Sequence, residues 1–224
     1  MRRSSLSGVV LLALVGAGAA PATAAPVAPG PPPTSTTLTL STNVSAYGQT
    51  VRATAAVVSP AGPAEGDVVF SVDGTAVKAN LTGGGTASLL LPEVAVGDHT
   101  VAATFVPQFP DRQEGSASPS AVWRVAPAAV DLRLRVSGAR PRAVARVHTS
   151  ALGDFGTVPT GTVRLRLFRG GPRARTTRTA VLSAGGGAVT RLGRLAAGRY
   201  RVEAAYPGDT QHQPATRVVR FRVP

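Results

Sequence analysis

The chain has 224 residues, no cysteine and a formal net charge of +13, from 24 lysines and arginines against 11 aspartates and glutamates. Zero cysteine removes thiolate chemistry, haem attachment and the usual structural zinc sites. It also removes disulfide staples, so a chain of about two ordinary domain lengths must rest on its apolar cores alone.

At the start, Arg2 and Arg3 precede the apolar run Val9 to Val15, and Ala22-Thr23-Ala24 closes it with small residues. A positive head, a short apolar middle and an A-x-A exit predict a secretory signal peptide over residues 1–24, with Ala25 as a second cleavage point. A membrane anchor would need about 20 apolar residues, and Gly16, Gly18 and Pro21 interrupt this run early. Residues 25–35 contain Pro31-Pro32-Pro33 and predict a proline-rich leader, extended and exposed as a spacer. No later segment is apolar enough to span a membrane. The sequence shows neither a C-terminal wall-sorting tail nor a cysteine at the cleavage site for lipid attachment. The expectation is a secreted protein, released or held loosely at the cell surface.

From Thr36 onward the apolar period is two, which marks half-buried strands. Leu38 and Leu40 begin a first module over 36–125. Val51, Ala53, Ala55 and Val57 follow, then Val68, Phe70 and Val72 with the turn signal Asp73-Gly74. Ala87, Leu89 and Leu91 come after Gly83-Gly84-Gly85, then Val101, Ala103 and Phe105, and Val122 to Val125 closes the module. A short stiff link, Ala126-Pro127-Ala128-Ala129, leads into a second module over 126–224. There Val130, Leu132, Leu134 and Val136 alternate with polar residues, as do Ala143, Ala145 and Val147. Val163, Leu165 and Leu167 follow, then Leu182, Leu192 and Leu195, then Val202, Ala204 and Tyr206, and finally Phe221 and Val223. Gly66-Asp67-Val68 returns as Gly161-Thr162-Val163, and Gly97 to Val101 returns as Gly198 to Val202. A repeat of about 95 residues filled with short strands is a tandem of small β domains. One apolar and one polar side per strand predicts an all-β fold of two sandwiches, each with roughly seven strands.

Several short motifs resemble the bacterial Ig-like domain repeat proteins. The first module opens with Thr36-Thr37-Leu38-Thr39-Leu40 and then Ala46-Tyr47-Gly48-Gln49. Pro159-Thr160-Gly161-Thr162-Val163 matches the mid-module proline-x-glycine-x-valine pattern. Gly198 to Val202 followed by Ala204-Ala205-Tyr206-Pro207-Gly208-Asp209 matches the late motif. The first module lacks the late Gly-Asp, having Phe105-Val106-Pro107-Gln108, and the second lacks Tyr-Gly-Gln. The resemblance implies tandem Ig-like β-sandwich modules that act as spacers, stalks or adhesive units on exported bacterial proteins.

Catalytic patterns are missing. His99, His148 and His212 lie in separate segments without metal-ligand spacing. No G-x-S-x-G elbow or phosphate loop occurs. His99 matches Tyr200 in the other copy and reads as a half-buried structural aromatic, Trp123 reads as core, and Gly208-Asp209 reads as a turn. A calcium role for Asp209 has too few neighbouring oxygens. The sequence therefore predicts no enzyme, cofactor or metal.

Charge divides the two copies. Residues 26–125 hold four basic and seven acidic residues, net −3, and residues 126–224 hold 18 arginines and four acids, net +14. Arg133 and Arg135 alternate with apolar residues on one strand, Arg164 and Arg166 on a second, and Arg199 and Arg201 on a third. Arginine favours phosphate and carboxylate through its planar fork, so these six are candidate anion-binding residues. The predicted partners are anionic cell-wall polymers or acidic polysaccharides. Sequence-specific nucleic-acid reading is not expected, because no recognition helix is predicted and aromatics are sparse. The expected function is a structural or adhesive role at the cell envelope. The alternative is a soluble carbohydrate- or polyanion-binding protein working through the second module.

Overall fold

Residues 30–224 are described by the computed structural model, and the signal peptide expected over residues 1–24, with most of the expected leader, lies outside the described residues. Period-two patterning becomes strands throughout. The first nine are β1 (Ser35–Leu40), β2 (Val44–Ala46), β3 (Arg52–Val58), β4 (Gly66–Val72), β5 (Thr75–Asn80), β6 (Thr86–Leu90), β7 (Gly97–Pro107), β8 (Ser116–Ala117) and β9 (Ala121–Ala126). They form a sheet of order β1-β3-β6 and a second of order β2-β9-β7-β4-β5, with β8 beside β7. Every ladder is antiparallel except β2 with β9. The inward residues of the two sheets make one core, in which Ala53, Val68, Val101 and Ala103 are fully buried. Trp123 belongs to that core, and its indole N–H donates to Ser45 Oγ at 2.9 Å.

The second set is β10 (Val130–Ser137), β11 (Val144–Gly153), β12 (Thr162–Arg169), β13 (Ala174–Val181), β14 (Gly187–Arg194), β15 (Gly198–Tyr206) and β16 (Ala215–Val223). Its sheets run β10-β11-β14 and β13-β12-β15-β16. They enclose a separate core that includes Val147, Val163, Leu165, Val202 and Tyr206. Burying each large apolar side chain contributes about 1.5–3 kcal/mol, which is how two sandwiches stand without disulfides.

Two features depart from the sequence reading. The end of the leader is not a free spacer: Glu114 N–H donates to the Pro32 carbonyl at 2.9 Å, and Thr34 Oγ1 donates to the Glu114 carbonyl at 2.7 Å. Strands β2, β5 and β8 carry no usable alternation. β5 is almost wholly exposed, and the Asp73-Gly74 turn places it, with φ of 49° and 85°.

The link is strapped to the second sandwich. Ala128 N–H donates to the Gln211 carbonyl at 2.9 Å, and Gln213 N–H donates to the Ala128 carbonyl at 2.8 Å. Asp154 N–H donates to the Ala129 carbonyl at 3.0 Å. Residues 31–224 form one compact body.

Candidate anion-binding site

Direct cross-strand partners stand on the same side of a sheet, so register assigns faces. On β12, Val163, Leu165 and Leu167 point into the core while Arg164 and Arg166 are exposed. Arg166 pairs with Glu203 on β15, and Phe168 pairs with Arg201. On the next ladder Arg199 pairs with Arg222 and Arg201 with Arg220. Six arginines (164, 166, 199, 201, 220 and 222) therefore share the outer face of three neighbouring strands, with Glu203 as the acid among them.

Arg133 and Arg135 are also exposed, but on β10 of the opposite sheet. Arg133 is tied to Asp131 at 2.7 Å. The six sequence candidates thus divide, four on one face and two on the other. Arg220 and Arg222 complete the larger group. Their arginine-x-arginine spacing matches Arg199-x-Arg201, and the antiparallel pairing of β15 with β16 superposes the two pairs.

Phe168 is the unexpected member. It faces outward in register yet is only 3% exposed. The guanidinium of Arg201 lies 4.4 Å from the centre of its ring, and that of Arg166 lies 5.2 Å away. Such contacts over an aromatic face are attractive, and the arginine stems cover the ring. Arg201 also reaches Glu203 at 3.1 Å. A cleft of about 840 Å³ lies beside these groups, lined by Phe168, the Gly170-Gly171-Pro172 loop and the paired arginines of β15 and β16.

The other sequence candidates have structural work. His99 places Nδ1 2.6 Å from Asp73 Oδ2 and Nε2 2.8 Å from the Ala95 carbonyl. The hydrogen bond to Asp73 holds its pKa above the ordinary histidine value. Asp209 is surrounded by donors. Its carboxylate accepts from Thr160 N–H at 2.8 Å, Thr160 Oγ1 at 2.9 Å and Gln211 N–H at 2.8 Å, and it lies 2.8 Å from His212 Nδ1. Burial alone would raise this carboxyl, but the hydrogen bonds overcome it and hold the pKa well below the usual carboxylate range. Occupied by donors, Asp209 is a loop organiser in place of a calcium ligand. Among the described residues no histidine–carboxylate cluster has the form of a metal site, and no helix is long and apolar enough to cross a membrane.

Residues 38–126 match the family described as Bacterial Ig-like domain (group 3). No curated protein matches the chain. Among solved structures, the chain is similar to the fibronectin(III)-like modules of Clostridium thermocellum CbhA at 15% identity and a TM-score of 0.31, covering 83% of this chain and 93% of that one. It is similar to the Yersinia pseudotuberculosis adhesin InvE at 17% identity and a TM-score of 0.38, covering 83% and 58%. It is also similar to a 1.5-MDa bacterial ice-binding adhesin at 14% identity and a TM-score of 0.35, covering 84% and 64%. The chain spans less than two thirds of either adhesin chain. Residues 38–126 thus match a bacterial Ig-like domain, within an all-β architecture of two sandwiches.

Proposed function

We propose that the protein is an exported structural or adhesive element of the cell envelope. In this reading residues 1–24 direct export, 25–35 form the leader, and 36–125 and 126–224 are tandem Ig-like modules. The second module holds the protein to anionic wall polymers. The observation that carries this is the outer face of β12, β15 and β16, with six arginines against Glu203. A field of one sign on one surface draws polyanions and is weakened by salt.

The alternative of a carbohydrate site has less support. Sugar rings are usually gripped on exposed aromatic faces, and of the three rings lining the cleft Phe168 and Tyr200 are 3% and 4% exposed, while Phe221 is partly exposed with one face stacked on Tyr200. The experiment is retention of the full mature chain on purified wall material across a salt series. Retention that falls steeply with salt supports the reading. Absence of retention at low salt, with the protein folded, defeats it.

A further inference from the structure

Two consecutive arginine rungs, Arg199 opposite Arg222 and Arg201 opposite Arg220, join β15 to β16. Directly opposite residues lie about 4.5–5.5 Å apart at Cα, and like charges there are destabilising. Glu203 faces the same side and is paired with Arg201. Folding does not require this arrangement, since threonine or valine at these outward positions would suit a strand better. Four guanidinium groups gathered beside a cleft of about 840 Å³ are what a multiply charged anion would offset.

Arg201 is already positioned. It rests 4.4 Å from the Phe168 ring centre, and its Nε is buried without a hydrogen-bond partner. Next to the Gly170-Gly171-Pro172 loop, Arg169 donates from Nη2 to the Ala197 carbonyl at 2.6 Å, which ties the end of β12 to the residue before β15. Arg201 therefore needs little ordering on binding, and that lowers the entropic cost of its contact.

We propose that this cleft binds a polymer with a phosphate backbone, the two arginine rungs gripping successive phosphates. This rests on the reading of the second module as a polyanion-binding surface. The class follows from the chemistry. Rungs two residues apart repeat about every 6.8 Å along the strand, which suits charges carried regularly on a ligand backbone. Phe168 is covered by guanidinium groups and Tyr200 is buried, so Phe221, stacked on Tyr200, is the partly exposed ring of the cleft, and a single ring is a poor platform for a run of sugars or nucleobases. Each phosphate unit offers several oxygens, so forks from both sides of a rung can share it.

The test measures binding of long-chain inorganic polyphosphate to residues 25–224 at about 0.15 M salt, with polygalacturonate as the carboxylate comparison. Arg201→Gln with Arg220→Gln should weaken polyphosphate binding by about tenfold or more, because two charge-assisted contacts are lost. It should also reduce the slope of log affinity against log salt by about 1.5–2. Arg199→Gln with Arg222→Gln should do the same. Arg133→Gln with Arg135→Gln removes equal charge from the opposite sheet and should change binding by less than about threefold. If all three double variants lose affinity equally, the cleft is not the site, although the polyanion reading survives. If the wild type binds neither polymer, that broader reading fails as well. Equal affinity for polygalacturonate overturns the phosphate assignment. Tighter binding of single-stranded DNA than of polyphosphate at matched charge would make the partner a nucleic acid and overturn it too. Concentration-dependent self-association abolished by the same variants would place a second copy in the cleft and overturn it.

Discussion

The Gln211 side chain of the second sandwich accepts the Val96 N–H of the first, at 2.8 Å. Gln211 is aimed by Asp209, which takes its backbone N–H, and by Ala128, which donates to its carbonyl at 2.9 Å. Close by, the Tyr47 ring meets His212 edge-on at 5.8 Å, and His212 Nε2 lies 3.0 Å from Thr157 Oγ1. Tyr47-Gly48-Gln49 and Gly208-Asp209 are therefore two halves of one joint. Each module carries the half that faces its neighbour, which gives a physical reason why each motif occurs in only one copy.

Replacing Asp209 with Asn should destabilise the protein by about 2–4 kcal/mol, because several hydrogen bonds to a mostly buried charge are weakened together. Urea unfolding of the full chain measures it. The sign with pH follows from the depressed folded pKa. The contribution of Asp209 is complete above the unfolded value of about 3.9 and is lost as pH falls through the folded value. The wild type should lose stability below about pH 4, and Asp209→Asn should lose less. An identical acid response in both would remove Asp209 from the explanation.

Gly48 has a φ of 80°, and a Cβ there would overlap Thr157 across the joint. Gly48→Ala should cost about 1–3 kcal/mol from backbone strain, with a further loss from the clash. Comparing the variant in residues 31–126 with the full chain separates the two parts. A larger loss in the full chain is expected, and equal losses would show that the joint yields freely.

The sandwiches were legible from sequence where apolar and polar residues alternate. Val68, Phe70 and Val72, and likewise Val163, Leu165 and Leu167, all fall on the buried side. β5 was not legible, because both of its faces meet solvent and only a turn and a partner strand define it. Exposure of Arg164 and Arg166 could be read from their alternation, but their meeting with Arg220 and Arg222 could not. That meeting depends on the order β12-β15-β16, which local pattern does not encode. The cover over Phe168 was hidden for a related reason. A bulge between Leu167 and Phe168 on the β13 ladder breaks the simple period at that point.

Each sandwich closes its own core, so residues 36–125 and 126–224 should fold separately. Circular dichroism of the two fragments should show sheet in both. Cooperative folding of the full chain with neither fragment folded would contradict this boundary.

Export predicts a mature N-terminus at Ala25 or Pro26. N-terminal sequencing of protein recovered outside the cell checks it, and an intact Met1 on that protein would contradict it.

The proposed hold of the second module's arginine face on anionic wall polymer is open to direct test. Its most direct measurement is the affinity of the full mature chain for native wall material as a function of salt, beside the variant with Arg164, Arg166, Arg199 and Arg201 all changed to Gln. Four to six phosphate-type contacts predict a wild-type slope of about −3 to −5 in log affinity against log salt. The variant should keep the fold and lose most of the affinity and most of the slope. A wild-type affinity indifferent to salt, or a folded variant that binds as tightly as the wild type, would contradict the account.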